Sequence, residues 1–238
     1  MAGLGTIVEG KNAVLSVIES GRATKISYIQ AENVTGDLEN ILNLSIKNKI
    51  ELNPYKSKEE WPYHPRHSIV AICNPKKTFK EKDLDKFQGK NLIVCDHIQD
   101  TNNIGAIARS AAAFNFEVIA IPLKRSVKIT ERTFSIASGG LEKVDIVYYN
   151  SIFSLIKKLN SLDIWTIGLD MDGEMEINNI DLNTQSYALF VGSEENGLSS
   201  EVQKKLDLIS SINMANNIES LNVSVSAAVA MHQLFIRK

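Results

Sequence analysis

From residue 91 onward, short apolar runs alternate with segments of helical periodicity, and this alternation restricts the possible folds more than any other feature. The runs of strand length lie at residues 92–95, 118–121, 144–148, 164–169 and 187–191. The helical segments lie at 103–114, 151–159 and 223–238. Strands that alternate with helices are typical of a parallel sheet covered by helices on both faces. The sequence therefore predicts an α/β fold for this part of the chain.

The first 75 residues carry a smaller set of elements. Their pattern predicts two helices and two strands, at 7–20, 37–48, 26–29 and 69–73. The following segment, 76–90, is charged and mostly polar, with room for one short helix. We therefore expect a small α/β domain over 1–75, a linker over 76–90 and a larger α/β domain over 91–238.

The charge of the chain excludes little. The formal net charge is −2, which argues against a broadly basic nucleic-acid binder. The charge is uneven, because residues 1–90 hold 14 Lys and Arg against 11 Asp and Glu, whereas residues 91–238 hold 12 against 17. Local basic patches therefore remain available to meet phosphate groups.

The apolar runs and the two cysteines predict a cytoplasmic protein without a membrane span. No apolar run approaches the roughly 20 residues that a membrane helix needs, and the N-terminus has no apolar signal core. Cys73 and Cys95 lie inside apolar runs, as buried hydrophobes of a reducing compartment do. His64 and His67 lack a cysteine or carboxylate at ligand spacing, so we expect no metal site.

A polar turn at 96–102 joins the strand at 92–95 to the helix at 103–114. Asn102 or Asn103 has the side chain of a helix N-cap. Arg109 stands among alanines two turns into the helix, where a solvated or salt-bridged arginine is the ordinary explanation. The turn, however, lies at the carboxyl end of a predicted parallel strand, where open α/β sheets bind ligands. This position favours a functional site.

Two later stretches repeat this pattern. The strand at 187–191 runs into Gly192, where a backbone without Cβ lets a ligand approach, and Glu194 follows. The polar loop at 212–222 ends at Ser220 and Asn222, both suited to cap the last helix. A surface turn explains the first stretch by itself, and capping explains one residue of the second but not both.

Two cationic groups are candidates for phosphate contacts. The first follows a predicted strand directly and consists of Lys124, Arg125, Lys128 and Arg132, for which a solvated face and a phosphate site are equally good explanations. The second is the segment 53–66, which mixes three aromatic residues with cations that include Arg66. Such mixtures bind single-stranded RNA by base stacking, but an irregular loop anchored by Trp61 is the favoured interpretation.

Taken together, three of these stretches resemble the SpoU (TrmH-like) branch of the SPOUT RNA ribose 2′-O-methyltransferases. The matching motifs are NIGAIAR at 103–109, GSE with GL within 192–198, and SLNVS at 220–224. Residues 8–14, VEGKNAV, are similar to the L30e-like substrate domain of rRNA guanosine methyltransferases in this branch. Thr101, Asn213 and Asn216 depart from the family pattern without removing a reacting group.

The resemblance implies a fold, a cofactor and partners. It implies a parallel sheet whose C-terminal segment forms a trefoil knot, preceded by the L30e-like α/β domain. It implies S-adenosylmethionine (AdoMet) bound in the knot against Gly192, Ile212, Met214 and Leu221. It also implies a homodimer with RNA as substrate, and a guanosine of 23S rRNA as the target.

The resemblance also implies catalytic roles. A guanidinium is a poor base, so we expect Arg109 to bind phosphate and stabilise the developing alkoxide. Glu194 would orient this arginine, Asn103 would position its helix or the substrate, and Ser220 and Asn222 would hydrogen-bond the ribose or cofactor. The alternatives are a tRNA methyltransferase and a non-catalytic RNA-binding protein. A dinucleotide-dependent oxidoreductase is excluded, because no G-x-G-x-x-G follows the first strand of either part.

Overall fold

The computed structural model of the protein describes residues 4–30, 36–124, 127–181, 186–215 and 220–237. Within these residues, the strands form a four-stranded sheet and an eight-stranded sheet. The boundary that the sequence predicts at residue 75 falls between the last strand of the first sheet and the first strand of the second.

The four-stranded sheet is mixed and has the order β1-β4-β2-β3. Its strands and the two helices beside it are β1 (Ile7–Glu9), α1 (Lys11–Glu19), β2 (Ala23–Ile29), α2 (Asp37–Lys47), β3 (Glu51–Tyr55) and β4 (Ile69–Cys73). The prediction of a helix from residue 7 is wrong for the first three residues. They pair antiparallel with β4, and Gly10 at φ 93° redirects the chain before α1 begins.

The aromatic segment 53–66 packs against its own domain. Trp61 is only 9% exposed, and its ring makes edge contacts with Tyr55 and Tyr63 at centroid distances of 5.4 and 5.1 Å. Tyr63 also lies 3.4 Å from the Ser27 hydroxyl of β2. The structure confirms that Trp61 anchors this segment to its own domain, but the first three residues of the segment belong to β3 and are not an irregular loop.

The eight-stranded sheet is parallel throughout and has the order β10-β12-β9-β11-β6-β7-β8-β5. Its strands are β5 (Thr78–Lys80), β6 (Leu92–Cys95), β7 (Val118–Pro122), β8 (Asp145–Tyr149), β9 (Trp165–Leu169), β10 (Met175–Glu176), β11 (Tyr187–Val191) and β12 (Leu208–Ser211). The helices are α3 (Thr101–Ala113), α4 (Glu131–Ala137), α5 (Gly140–Lys143), α6 (Ile152–Asn160), α7 (Ser200–Gln203) and α8 (Val223–Phe235). The predicted α/β fold with a parallel sheet is confirmed.

The central strands of this sheet contribute side chains to two cores, because successive side chains point to opposite faces. Ile93 of β6 belongs to the core that α3, α4, α5 and α8 cover, whereas Val94 belongs to the core that α6 covers. The central strands are buried on both faces, which explains why they appear in the sequence as unbroken apolar runs.

Two parts of this sheet differ from the sequence-based expectation. The segment 76–90 is more than a linker, since it supplies the edge strand β5, which was not predicted. It also contains the expected short helix, a 3-10 helix (Glu81–Phe87) whose Leu84 and Phe87 are buried. β12 was not predicted, because it is short and half polar, with Ser210 fully buried and donating to the Met175 carbonyl at 2.7 Å. The trefoil knot and the L30e-like character of the first domain stay predictions.

Both cysteines are buried and free. Burial raises the pKa of each thiol to about 12, so neither is a reactive nucleophile at neutral pH. Among the helices that the structure describes, none has the length and apolarity to cross a membrane. The described residues also contain no cluster of His, Cys, Asp and Glu able to hold a metal ion.

Candidate active site

A cavity of about 580 Å³ opens at the carboxyl ends of β9 and β11. Leu169 and Val191, the last residues of these strands, form part of its wall. Six of the residues that the sequence points to also line it, namely Gly192, Glu194, Ile212, Met214, Ser220 and Leu221. The second and third motif stretches therefore meet in one cavity at the edge of the sheet where α/β folds bind ligands.

The loop after β11 closes on itself. The amide of Ser193 donates to the Gly197 carbonyl at 3.2 Å, and the amide of Gly197 donates back to the Ser193 carbonyl at 3.0 Å. A Cβ on Gly192 would lie 2.0 Å from the carbonyl carbon of Gly197. The expectation that Gly192 is a glycine to admit a ligand is therefore corrected, because the atoms that approach it belong to the chain's own backbone.

Asn103 connects the first motif stretch to this cavity. It lies in the first turn of α3, it is 7% exposed, and its Nδ2 donates a hydrogen bond to Oε1 of Glu194. Glu194 lies on the wall of the cavity. This contact joins the first motif stretch to the second, and the second shares the cavity with the third.

The N-terminus of α3 is capped by Asp100, so the prediction that Asn102 or Asn103 caps it is wrong. Oδ1 of Asp100 accepts from the Asn102 amide at 2.8 Å and from the Asn102 side chain at 2.7 Å. These hydrogen bonds hold the pKa of Asp100 below its ordinary value. Since α3 begins two residues earlier than expected, Asn103 lies inside the helix and its side chain is available to Glu194.

Asn222 is the N-cap of α8. Its Oδ1 accepts from the Ser224 amide at 2.9 Å and from the Ser224 hydroxyl at 2.6 Å. It does not line the cavity, whereas the exposed Ser220 does. Capping therefore explains Asn222, as expected for one residue of this pair. Ser220 is the member of the pair that lines the cavity. Asn216 lies outside the described residues.

Arg109 is exposed on α3 and is not among the residues that line the cavity. Its backbone packs against α5, where a Cβ on Gly140 would lie 2.7 Å from the Arg109 Cα. Glu194 accepts a hydrogen bond from Asn103 of the same chain. This hydrogen bond does not orient Arg109, so the orientation of Arg109 by Glu194 stays a prediction. A single chain does not bring Arg109 to the cavity.

The candidate phosphate-binding cations lie on the surface. Lys124, Lys128, Arg132 and Arg66 are exposed, and Arg125 lies outside the described residues. Nε of Arg132 donates to the Asn102 side chain at 2.8 Å, which places this cation beside the start of α3. Nε of Arg66 donates to Nδ1 of His64 at 3.2 Å. The RNA-binding role of all five residues stays a prediction.

Asp170 and Gln203 are among the cavity residues that the sequence-based reasoning missed. Asp170 follows β9 directly, and Gln203 of α7 donates to its Oδ2 at 2.9 Å and to the Leu198 carbonyl at 2.9 Å. Polar residues at the end of a parallel strand were the available signal for Asp170. Gln203 lies on a four-residue helix and carried no signal of its own.

Comparisons with known proteins agree with this geometry. The profile described as the SpoU rRNA Methylase family matches residues 90–232, which include all three motif stretches. The chain belongs to the SpoU methylase family. This assignment confirms the resemblance read from the sequence, and it makes the protein a member of a family of RNA methyltransferases.

The likeness to members of the SpoU methylase family and their structural relatives extends over both domains. YacO of Bacillus subtilis, whose name places it among TrmH family tRNA/rRNA methyltransferases, is 26% identical over 97% of this chain and 95% of its own length. The SpoU methyltransferase AviRb of Streptomyces viridochromogenes, crystallised with AdoMet, superposes with a TM-score of 0.78 at 19% identity, over 97% of this chain and 89% of AviRb. A structure titled RNA 2′-O ribose methyltransferase gives a TM-score of 0.74 at 15% identity, over 97% and 88% of the two chains. At such identities the structures establish the shared fold.

The contribution of the Asn103–Glu194 contact to the stability of this SpoU methylase can be measured. Glu194→Ala leaves the Asn103 amide in a mostly buried position without its acceptor, so we expect the free energy of unfolding to fall by about 1–3 kcal/mol. Urea unfolding followed by circular dichroism measures this loss. Glu195→Ala is the matched control, because it removes the same charge from the same cavity wall. Equal losses in both variants would contradict a structural role for the contact.

Proposed function

We propose that this protein transfers a methyl group from AdoMet to a ribose 2′-hydroxyl of RNA, with a guanosine of 23S rRNA as the target. The observation that carries the proposal is that the second and third motif stretches line one cavity at the carboxyl edge of the parallel sheet, while Asn103 of the first stretch contacts Glu194 on its wall. The two buried, free cysteines support a cytoplasmic setting for this reaction.

The cavity fits AdoMet in size and in chemistry. Its volume of about 580 Å³ lies within the range of small-molecule sites. Leu169, Val191 and Leu221 supply apolar wall for an adenine ring, and Gly192, Ile212 and Met214 lie beside them. Four carboxylates also line the cavity, those of Asp170, Asp172, Glu194 and Glu195. Acidic side chains suit a ligand that carries a sulfonium and an ammonium group.

The residues of this chain supply positioning and electrostatics. When bound, AdoMet provides a methyl group on a cationic sulfur, which is the electrophile of the reaction. Ser220 faces the cavity and is placed to hydrogen-bond the ribose or the cofactor. Arg109 would stabilise the charge that develops on the ribose oxygen, because a guanidinium is a cation with several hydrogen-bond donors. Holding the hydroxyl in line with the methyl carbon supplies much of the acceleration.

A homodimer is part of the proposal, because α3 and α8 share an incompletely covered face. Phe114, which follows α3 directly, contacts the rings of His232 and Phe235 of α8 at centroid distances of 5.2 and 6.1 Å. Phe235 and Ile236 beside them are 43% and 58% exposed. Exposed apolar side chains of this kind are typical of protein–protein interfaces. A second copy on this face would also give the exposed Arg109 a route to the partner's cavity.

The experiment that tests the function combines binding with mapping. Calorimetry with the purified protein should show AdoMet binding, and ribose-methylation mapping should show one 2′-O-methylated guanosine of 23S rRNA lost in a deletion strain. Re-expression of the protein should restore the mark. Loss of a tRNA mark instead would support the tRNA alternative. Failure to bind millimolar AdoMet would support a non-catalytic RNA-binding protein.

A further inference from the structure

Helices α4 and α5 form a layer between the first domain and α3, the helix that carries Arg109. We propose that the ion pair between Arg22 and Glu142 is a positioning device for Arg109: the first domain holds α5, and α5 holds the backbone of Arg109. This inference rests on the proposed function, since it assumes that Arg109 takes part in methyl transfer.

The ion pair joins the two domains in a fixed geometry. Nε and Nη2 of Arg22 donate to the two carboxylate oxygens of Glu142 at 2.9 and 2.6 Å. The side chains are only 12% and 4% exposed. Nη1 of Arg22 donates to the carbonyls of Gly5, at 3.2 Å, and Asn74, and the Ser20 hydroxyl donates to Glu142 at 3.2 Å. A two-pronged, buried and fully bonded pair permits one arrangement of its partners.

The second step leads from α5 to the arginine. Glu142 lies two residues after Gly140 on the same short helix. A Cβ on Gly140 would lie 2.7 Å from the Cα of Arg109 and 2.8 Å from the carbonyl oxygen of Ala108. The backbones of α5 and α3 are therefore in direct contact at the residue in question. Because packed interiors transmit displacements, a shift of α5 shifts the Cα of Arg109.

Further contacts tie the same layer to the first domain. Nδ2 of Asn12 donates to the Ser138 hydroxyl at 3.0 Å, and His67 lies 2.9 Å from the Ser135 hydroxyl. A Cβ on Gly139 would lie 2.1 Å from the hydroxyl of Ser16. The ion pair differs from these contacts in two ways. It is a charged, bidentate interaction, and its acceptor, Glu142, is a residue of α5 itself. Neither Arg22 nor Glu142 lines the AdoMet cavity.

The test separates positioning from general stability. Arg22→Gln removes the charge and the fork, and we expect kcat at saturating RNA and AdoMet to fall about 10-fold or more, since misplacement of a reacting group by about 1 Å has effects of this size. The AdoMet Kd should stay within about twofold because the cavity is built by other residues. Hydrogen exchange should accelerate in the segment 105–113. Arg22→Lys, which keeps the charge without the fork, should recover part of kcat.

Lys25→Gln is the matched control. It breaks an exposed ion pair of the same domain, with Glu51 at 2.8 Å, and should leave kcat and exchange in α3 unchanged. If Arg22→Gln keeps the wild-type kcat while Arg109→Ala does not, the inference is overturned and the proposed function stands. If Arg109→Ala also keeps the wild-type kcat, Arg109 takes no part in methyl transfer, and the role assigned to it in the proposed function is wrong. A parallel loss of AdoMet affinity in both Arg22 variants would mean general unfolding and would overturn the inference as well.

Discussion

Arg109→Ala is expected to lower kcat for RNA methylation by about 100- to 1,000-fold, the size of the effect when one group that stabilises a developing oxyanion is removed. The AdoMet Kd should not change, because Arg109 does not line the cavity. Single-turnover methylation with saturating RNA measures the first quantity, and calorimetry measures the second. The kcat of Arg109→Lys should lie between those of the wild type and Arg109→Ala, since lysine keeps the positive charge but lacks the planar guanidinium.

The control for Arg109 is a cation in the same neighbourhood. Lys143 is exposed on α5, so Lys143→Ala removes one positive charge near α3 without touching its backbone packing. We expect it to leave kcat unchanged. Wild-type turnover by Arg109→Ala with saturating RNA would refute the electrostatic role of this arginine.

Gly192→Ala is expected to abolish AdoMet binding, with a Kd raised beyond about 100-fold. The added methyl group would lie 2.0, 2.1 and 2.4 Å from three backbone atoms of Gly197 and Leu198, so the loop that forms one wall of the cavity must move. Inserting a methyl group into such packing also destabilises the fold by about 1–3 kcal/mol. Calorimetry and thermal unfolding measure the two effects separately.

The control for Gly192 is a glycine at positive φ that does not line the cavity. Gly21 has φ +72° and nothing within 4 Å of an added Cβ, so Gly21→Ala costs stability through backbone conformation alone. It should bind AdoMet as the wild type does. If Gly192→Ala also binds AdoMet with wild-type affinity, the loop is not the wall of the cofactor site.

If the protein forms the proposed homodimer, mixing the two variants shows which cavity Arg109 serves. In a mixed dimer, the Arg109→Ala subunit has the intact cavity and the Gly192→Ala subunit has the intact arginine. Recovery of activity on mixing would mean that the arginine acts across the dimer. No recovery, with mixed dimers present by native mass spectrometry, would mean that each chain uses its own arginine.

The parts of the fold that the sequence predicted are those in which local pattern and burial agree. β6, β7 and β11 are buried on both faces, so each appears as an unbroken apolar run. β12 was missed because it is short and half polar, with only Ser210 fully buried, so it shows no apolar run. The 3-10 helix at Glu81–Phe87 appeared polar because only Leu84 and Phe87 face the core.

The candidate site was predicted as residue types rather than as contacts. Gly192, Glu194 and Ser220 were found through their position after strands and before a helix, and they share one cavity. The hydrogen bond from Asn103 to Glu194 was not predictable, because it depends on where α3 begins. Asp100 caps the helix, so α3 begins two residues earlier than the sequence indicated. The domain interface had no local signal, since Arg22 and Glu142 are 120 residues apart.

The geometry of α3 has a consequence for how the protein works at low concentration. Asn103 and Arg109 are six residues apart, which on an α-helix means about 9 Å of rise and about 240° of rotation. One straight helix therefore cannot aim both side chains at the same cavity. If Arg109 acts on the cavity of the other subunit, a separated subunit keeps its cofactor site but lacks the guanidinium that would stabilise the developing charge. Dilution would then silence the enzyme by mass action, while every chain remained folded and able to hold its methyl donor.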